Sequence, residues 1–184
     1  MLGIFGKSDT TNAAHKTYVT IVNHARSPEF YTRCGVPDTP DGRFDMILLH
    51  AFLLYQRFKI DADETAELGQ AVFDLMFADM DQSLREMGVG DMGVGRRIKG
   101  MAEAFYGRLA AYDNAVLGSD SDVAKVLFRN LYQDASPATS QVDGIVTYIR
   151  RELEDLRSIP VEELLAGNVR FGSFSMPGED LRGE

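Results

Sequence analysis

Apolar residues recur every three or four positions along most of this chain, a spacing typical of amphipathic helices. The clearest stripe predicts a helix over residues 139–157 and consists of Val142, Ile145, Val146, Ile149, Leu153 and Leu156. Comparable stripes predict helices over 13–25 and 121–132 and a long helix ending near Val116. Pro28 fits the first turn of a short helix over 27–31, and Pro160 opens one helical turn. No segment alternates with a period of two between turn signals, so no strand is predicted.

The most apolar segment follows a strong helix-start signal. Thr39 is a candidate N-cap, Pro40 fits the first helical position, and Asp41 complements the helix dipole. The residues from Phe44 to Phe58 are apolar nearly all round, which is typical of a helix buried in the middle of a domain. The acidic stretch 61–67 then opens another long helix.

Together these elements predict an all-α fold: a single compact multi-helix domain of about six to eight helices with irregular terminal arms. A length of 184 residues is enough for one sizeable core. We expect a flexible N-terminal arm over 1–12, a helical domain over 13–167 and an extended C-terminal tail over 168–184.

Composition narrows the class of protein. Hydrophobic residues make up 45% of the chain, as in a globular domain, and the net charge of −9 argues against nucleic-acid binding. Cys34 is the only cysteine, which fits a reducing compartment. The first residues resemble neither a signal peptide nor a transit sequence, and the longest apolar run, 47–55, is too short to span a bilayer. We therefore expect a cytoplasmic protein, with peripheral contact to the inner membrane as a further expectation.

A glycine-rich segment at 88–95 matches the dinucleotide-binding fingerprint through Gly88, Gly90 and Gly93. That fingerprint requires a preceding strand and a βαβ unit, whereas a helical pattern precedes these glycines. We predict an interhelical loop here. The alternative function for the chain is a small-molecule-binding or enzymatic helical domain with its site near this loop.

Two features of the following helix suggest a binding surface. Arg96, Arg97 and Lys99 lie near its start, where the dipole disfavours cations. They are interpreted as solvated charges, as partners of the chain's carboxylates, or as contacts for an acidic protein or lipid headgroups. The second feature is a stripe of small residues, namely Gly100, Ala104, Gly107 and Ala111. Another helix of the same domain is the favoured neighbour for this stripe; a groove for a helix of another protein and a self-association surface are the alternatives.

No arrangement of side chains predicts catalysis or metal binding. Asp81 and Arg85 have the i,i+4 spacing of a surface ion pair. The three histidines share no ligand spacing, and His50, within its apolar run, is interpreted as a core residue. Cys34 is interpreted as a small hydrophobic residue. We therefore expect a protein that is not an enzyme and that has no catalytic residue, metal or cofactor.

Several sequence segments together resemble one known family. They are RSPEFY (26–31), GVPDTPDGRFD (35–45), LH (49–50), FD (73–74), FADMD (77–81), LREMGVGD (84–91), MAEAFYGR (101–108) and AY (111–112). In this combination the chain resembles the ubiquinol–cytochrome c chaperone family over roughly residues 20–160, and it looks like a bacterial member.

The resemblance implies an assembly factor for ubiquinol–cytochrome c reductase, the respiratory complex III. Its expected partners are cytochrome b or another membrane-protein client, and a small partner protein. Flexible methionines around the glycine-rich segment could adapt to such a client, although core filling is the favoured interpretation for most of them. The residues expected to contact the client are Arg43, Asp81, Arg85, Gly88, Gly90, Asp91, Arg96, Arg97, Tyr106 and Arg108.

Overall fold

The computed structural model describes residues 7–86, 88, 90–176 and 178, without the side chains of Lys7, Asp91 and Met92. These residues contain eight α-helices and no strand, which confirms the predicted all-α fold. The helices are α1 (Lys7–Ala25), α2 (Pro28–Thr32), α3 (Pro40–Phe58), α4 (Ala62–Glu86), α5 (Asp91–Val116), α6 (Asp120–Leu127), α7 (Thr139–Arg157) and α8 (Val161–Leu165). A short 3₁₀ helix, Lys59–Asp61, joins α3 to α4, and a π-helix, Phe128–Tyr132, follows α6.

Helix α3 lies at the centre of the fold and packs against α1, α4, α5 and α7. Its side chains are buried on nearly every face, as the apolar composition predicts. Leu49, Phe52 and Leu53 are fully enclosed, and burying each such side chain contributes about 1.5–3 kcal/mol. No helix in the part of the chain that the structure describes is long and apolar enough to cross a membrane.

The start of α3 has the predicted cap. The Thr39 hydroxyl accepts a hydrogen bond from the backbone N–H of Gly42 at 3.1 Å. A Cβ atom at Gly42 would overlap the carbonyl oxygen of Pro37, so only glycine lets the 34–38 turn lie this close to α3. This contact places Asp38 beside the first turn of the helix, where it pairs with Arg43.

Two helices begin earlier than predicted. Helix α1 begins at Lys7, so residues 7–12, assigned to a flexible arm, are helical; residues 1–6 lie outside the described residues. Helix α5 begins at Asp91, so the predicted loop over 88–95 is wrong for its second half. The fully buried Val94 holds this first turn of α5 in place, and such tertiary packing outweighs the low helix propensity of glycine.

The C-terminal half follows the predicted pattern. Helix α7 has the predicted bounds, and α8 is the single turn opened by Pro160. After Gly167 the backbone of residues 168–176 has no regular secondary structure. It nevertheless lies against the core, because Val169 and Phe174 are buried.

Candidate functional site

A groove opens where α1, α3, α4 and α5 meet, with a volume of about 1070 Å³. We call this cavity the α1–α5 groove. Buried apolar side chains of α3 and α4 form part of its lining, together with Phe44 and the partly exposed Met101. The buried contributors are Ile47, Met76, Met80 and Leu84. Two of the methionines thus serve both core packing and the groove surface.

Polar residues meet within this groove around Asp45, which is buried on α3. One carboxylate oxygen accepts a hydrogen bond from Arg108 Nη1, and the other accepts one from Gln133 Nε2 at 2.8 Å. Burial raises the pKa of Asp45 to about 6, even though the positive charge of Arg108 lowers it. The groove therefore contains an ion pair formed largely away from water.

The rim of the groove carries exposed charges. Arg43 Nε donates to Asp38 at 2.7 Å, and both side chains are 56% exposed. This hydrogen bond from Arg43 holds the pKa of Asp38 below its ordinary value. Tyr18 and Asp79 also line the groove, and the Tyr18 hydroxyl donates to Asp79 at 2.7 Å. Burial, followed by the hydrogen bond to Asp79, raises the pKa of Tyr18.

The small-residue stripe of α5 is uncovered at its two glycines. A Cβ atom added at Gly100 or Gly107 would meet no other atom within 4 Å, and both residues are exposed. The favoured prediction, that another helix of the domain packs on this stripe, is therefore wrong. Gly100 and Ala104 instead line the α1–α5 groove.

Only some of the predicted client-contact residues come together in the structure. Arg43, Arg97 and Arg108 line the groove. The others do not line it; they are Asp81, Arg85, Gly88, Gly90, Arg96 and Tyr106, and the side chain of Asp91 lies outside the described residues. Asp81 and Arg85 form the predicted surface pair at 2.5 Å, and Tyr106 is 64% exposed.

Sequence reasoning missed Asp45 and Gln133. One feature of the sequence pointed to Asp45. It is a carboxylate next to the apolar segment of α3, and a buried charge there needs a partner. Gln133 carried none, because it meets Asp45 across 88 residues of sequence.

His50 and Cys34 serve the core. His50 Nδ1 lies 2.8 Å from the carbonyl oxygen of Met46, and Nε2 lies 2.8 Å from the Tyr148 hydroxyl. Burial lowers the pKa of His50 to about 3, so the ring is neutral. Cys34 is fully buried, which raises the pKa of its thiol to about 12. Within the described ranges no three His, Cys, Asp or Glu side chains are grouped as a metal site would require.

The described residues of the glycine-rich segment line neither the α1–α5 groove nor a smaller hollow beside α1. A helix, α4, precedes it where the dinucleotide fingerprint needs a strand. Cβ atoms added at Gly88, Gly90 or Gly95 would meet no atom within 4 Å. These observations disfavour the alternative function, which required a deep pocket against these glycines. The smaller hollow, of about 620 Å³, lies between α1 and the chain after α8, and it contains none of the predicted contact residues.

Comparison with known proteins agrees with the resemblance. The sequence model of the family described as ubiquinol-cytochrome C chaperone matches residues 32–171. The ubiquinol-cytochrome c reductase complex assembly factor 1 of Mus musculus is 29% identical over 160 residues, which cover 86% of this chain and 54% of the mouse protein. Its Xenopus laevis counterpart is 26% identical over 83% of this chain and 76% of its own length.

The fold matches as well. The crystal structure of the Cbp3 homolog from Brucella abortus has a TM-score of 0.81 and 35% sequence identity, covering 94% of this chain and 97% of that one. The chain spans about half the length of the mouse protein. The family is described as one of chaperones, in agreement with the expectation that the chain is not an enzyme. On the match over residues 32–171, this chain belongs to the ubiquinol–cytochrome c chaperone family.

Proposed function

We propose that this protein is a chaperone for the assembly of ubiquinol–cytochrome c reductase, and that its client, cytochrome b, binds in the α1–α5 groove. Membership of the chaperone family supports the general role. The assembly-factor names of the mouse and Xenopus relatives support the choice of complex. The groove supports the mode of action.

The observation that carries the proposal is an open groove next to the uncovered glycines of the α5 small-residue stripe. Met76, Met80 and Met101 give it a flexible apolar surface that can adapt to a client side chain. The exposed Arg43–Asp38 ion pair borders this apolar surface with charge and limits its extent. A helix laid into such a groove is a common mode of reversible recognition.

The structure sorts the predicted client contacts into two groups. Arg43, Arg97 and Arg108 line the groove and are proposed to contact the client there. The residues off the groove remain predictions for a wider contact surface; they are Asp81, Arg85, Gly88, Gly90, Asp91, Arg96 and Tyr106. The small partner protein and the peripheral membrane contact also remain predictions, and co-purification and membrane flotation would test them.

Deletion of the gene in its native organism tests the role in assembly. We expect the level of assembled complex III to fall and to be restored by the wild-type gene. An unchanged level of the complex would contradict the assembly role.

Site-directed photo-crosslinking tests the groove. A photoreactive amino acid replaces Ala104, which lines the groove, or Ala110, an exposed alanine of the same helix that does not. We expect a cytochrome b adduct from position 104 and none from position 110. Equal adducts from both, or an adduct only from position 110, would place the client elsewhere. Positions 85, 96 and 106 would show whether the surface extends beyond the groove.

A further inference from the structure

The network around Asp45 holds Arg108 in one position within the α1–α5 groove. Asp45 comes from α3, Arg108 from α5 and Gln133 from the end of the π-helix, and all three line the groove. Both oxygens of the Asp45 carboxylate are occupied, one by Arg108 and one by Gln133. Arg108 is therefore fixed through its Nη1 atom before any client arrives.

The backbone around Gln133 is unusual. Gln133 has a φ of 47°, and it is the only non-glycine residue with a positive φ in the described part of the chain. It follows the Phe128–Tyr132 π-helix, a rare element that often occurs at functional sites. A strained residue of this kind persists only where surrounding contacts fix it, and such residues cluster at binding and active sites. Here the strained conformation brings the side chain to Asp45.

The remaining donors of Arg108 are open to the groove. An arginine side chain has five N–H donors, and within the described residues only Nη1 has a hydrogen-bond acceptor. The side chain is 23% exposed. Among the described residues the buried polar side-chain atoms without a partner are Thr17 Oγ1, His24 Nε2 and Asn130 Nδ2. Because Nε and Nη2 of Arg108 are not among them, these two atoms are not sealed from solvent. Solvent, and hence a client oxygen, can reach the free donors.

We propose that Arg108, held by Asp45 and Gln133, binds the C-terminal end of an apolar client helix. This inference rests on the proposed function and names the part of the client that the groove recognises. The last four carbonyl oxygens of a helix have no partner within the helix, and they carry its partial negative charge. Fixed guanidinium donors beside an apolar surface match that combination.

The charges and dimensions of the groove fit the same occupant. Its four arginines and four aspartates balance each other, whereas the whole chain carries a net charge of −9. Among the described residues Arg26 and Arg97 form no ion pair, and neither do Asp41 and Asp79, so the groove as a whole has no excess charge and suits an apolar helix. A helix about 10 Å wide occupies roughly 420 Å³ per turn. The groove of about 1070 Å³ thus accepts roughly two turns.

Two synthetic peptides with opposite charge placement test this polarity. Each is a Leu/Ala helix of about 20 residues with blocked ends and a fluorophore. One has its solubilising lysines at the N-terminus, which leaves the C-terminal carbonyls free. The other has them at the C-terminus, where they cover those carbonyls with positive charge. Using the full chain, we expect fluorescence anisotropy to show that the first peptide binds about tenfold more tightly, because only its carbonyls are available to Arg108.

Three variants of the chain assign the effect to Arg108. Arg108→Gln is expected to weaken binding of the first peptide about tenfold and to leave the second unchanged. Gln133→Gly removes the side chain that holds Asp45. Because glycine adopts a φ of 47° without strain, this variant should fold. It should also weaken binding of the first peptide. Arg157→Gln, at an exposed arginine at the end of α7 that neither lines the groove nor belongs to the predicted client contacts, is the control and should change neither affinity.

Several results would overturn the inference. They are equal binding of the two peptides, a parallel loss for both in Arg108→Gln, or no binding of either peptide to the folded chain. The proposed function is contradicted by a different result, namely an unchanged level of complex III in the deletion strain. If the deletion lowers complex III but the two peptides bind equally, the assembly role stands and only the proposed role of Arg108 is wrong.

Discussion

At the scale of single residues, the burial of Asp45 in the groove is energetically unfavourable. Burying a carboxylate raises its pKa because the charged form loses hydration, and Arg108 and Gln133 return only part of that loss. An apolar residue at this position would avoid the cost. That the carboxylate is buried here nonetheless is consistent with a role in positioning Arg108 for binding.

The raised pKa of Asp45 leads to a prediction on pH and stability. The pKa is about 6 in the folded protein and 3.8 for the ordinary group, so the folded state binds the proton more tightly. Asp45 therefore adds stability as pH falls from about 6 towards 4. Asp45→Asn removes this contribution, so the variant should lose more free energy of unfolding relative to wild type at pH 5 than at pH 7. Urea unfolding at both pH values measures the two differences, and equal differences would contradict the raised pKa.

A second prediction concerns the buried hydrogen bond between His50 and Tyr148. His50 Nδ1 faces a carbonyl oxygen and must donate to it, so Nε2 accepts from the Tyr148 hydroxyl. Tyr148→Phe leaves this buried nitrogen without a partner, which should lower the free energy of unfolding by about 1–3 kcal/mol. Tyr106→Phe, at an exposed tyrosine, should change it by less than about 0.5 kcal/mol. Comparable losses in the two variants, measured by urea unfolding, would argue against a stabilising role for the bond.

At the scale of helices, the sequence predicts those whose ends carry chemical signals. Thr39 and Pro40 mark the start of α3, and the apolar stripe of α7 gives its bounds. The starts of α1 and α5 depend on tertiary packing instead. Ala13, Ala14 and Val94 are buried near these starts, and neither periodicity nor propensity reveals such burial in advance.

The groove was only partly predictable for a related reason. Periodicity places Gly100 and Ala104 on one stripe of α5, but it does not say whether another helix covers that stripe. Arg43, Arg97 and Arg108 were found through the family-like segments. Asp45 and Gln133 required the three-dimensional contact between segments that are distant in sequence.

The two open glycines of α5 give a matched pair for a third prediction. Alanine at Gly100 or Gly107 meets no neighbouring atom and improves helix propensity. Each substitution should therefore raise the free energy of unfolding by about 0.5–1 kcal/mol. Only Gly100 lines the groove, so Gly100→Ala should also weaken binding of the peptide with N-terminal lysines, by blocking close backbone approach. Thermal unfolding measures the change in stability, and fluorescence anisotropy measures the change in peptide binding. Weaker binding in both variants, or in Gly107→Ala alone, would place the close contact elsewhere.

For the whole molecule, the segment after α8 acts as part of the core. Phe171 stacks on His24 with ring centroids 5.3 Å apart, and Phe174 lies against Phe30 at 5.4 Å. The backbone N–H of Gly172 donates to the buried Glu152 carboxylate at 2.9 Å. This segment therefore closes an aromatic cluster that includes the His50–Tyr148 bond. The cluster is distinct from the α1–α5 groove, since none of these residues lines it.

If the client binds in the groove as proposed, that separation should allow stability and binding to be changed independently, and the fourth prediction rests on this. Phe174 is 8% exposed, so Phe174→Ala should lower the free energy of unfolding by about 3–5 kcal/mol, a large share of the roughly 5–15 kcal/mol typical of a domain. Ser173→Ala, at the exposed neighbouring position, should have little effect. Urea unfolding measures both changes.

The same variant should keep its groove. At a temperature where Phe174→Ala is still folded, its affinity for the peptide with N-terminal lysines should equal that of wild type, while Arg108→Gln binds that peptide about tenfold more weakly. In cells, Phe174→Ala should then reduce complex III only in proportion to its own abundance, because less of the chaperone survives folded. Arg108→Gln should reduce complex III at unchanged chaperone abundance. Immunoblotting for the chaperone, together with measurement of complex III, distinguishes the two variants. A loss of peptide affinity in folded Phe174→Ala would show that the groove depends on the C-terminal segment.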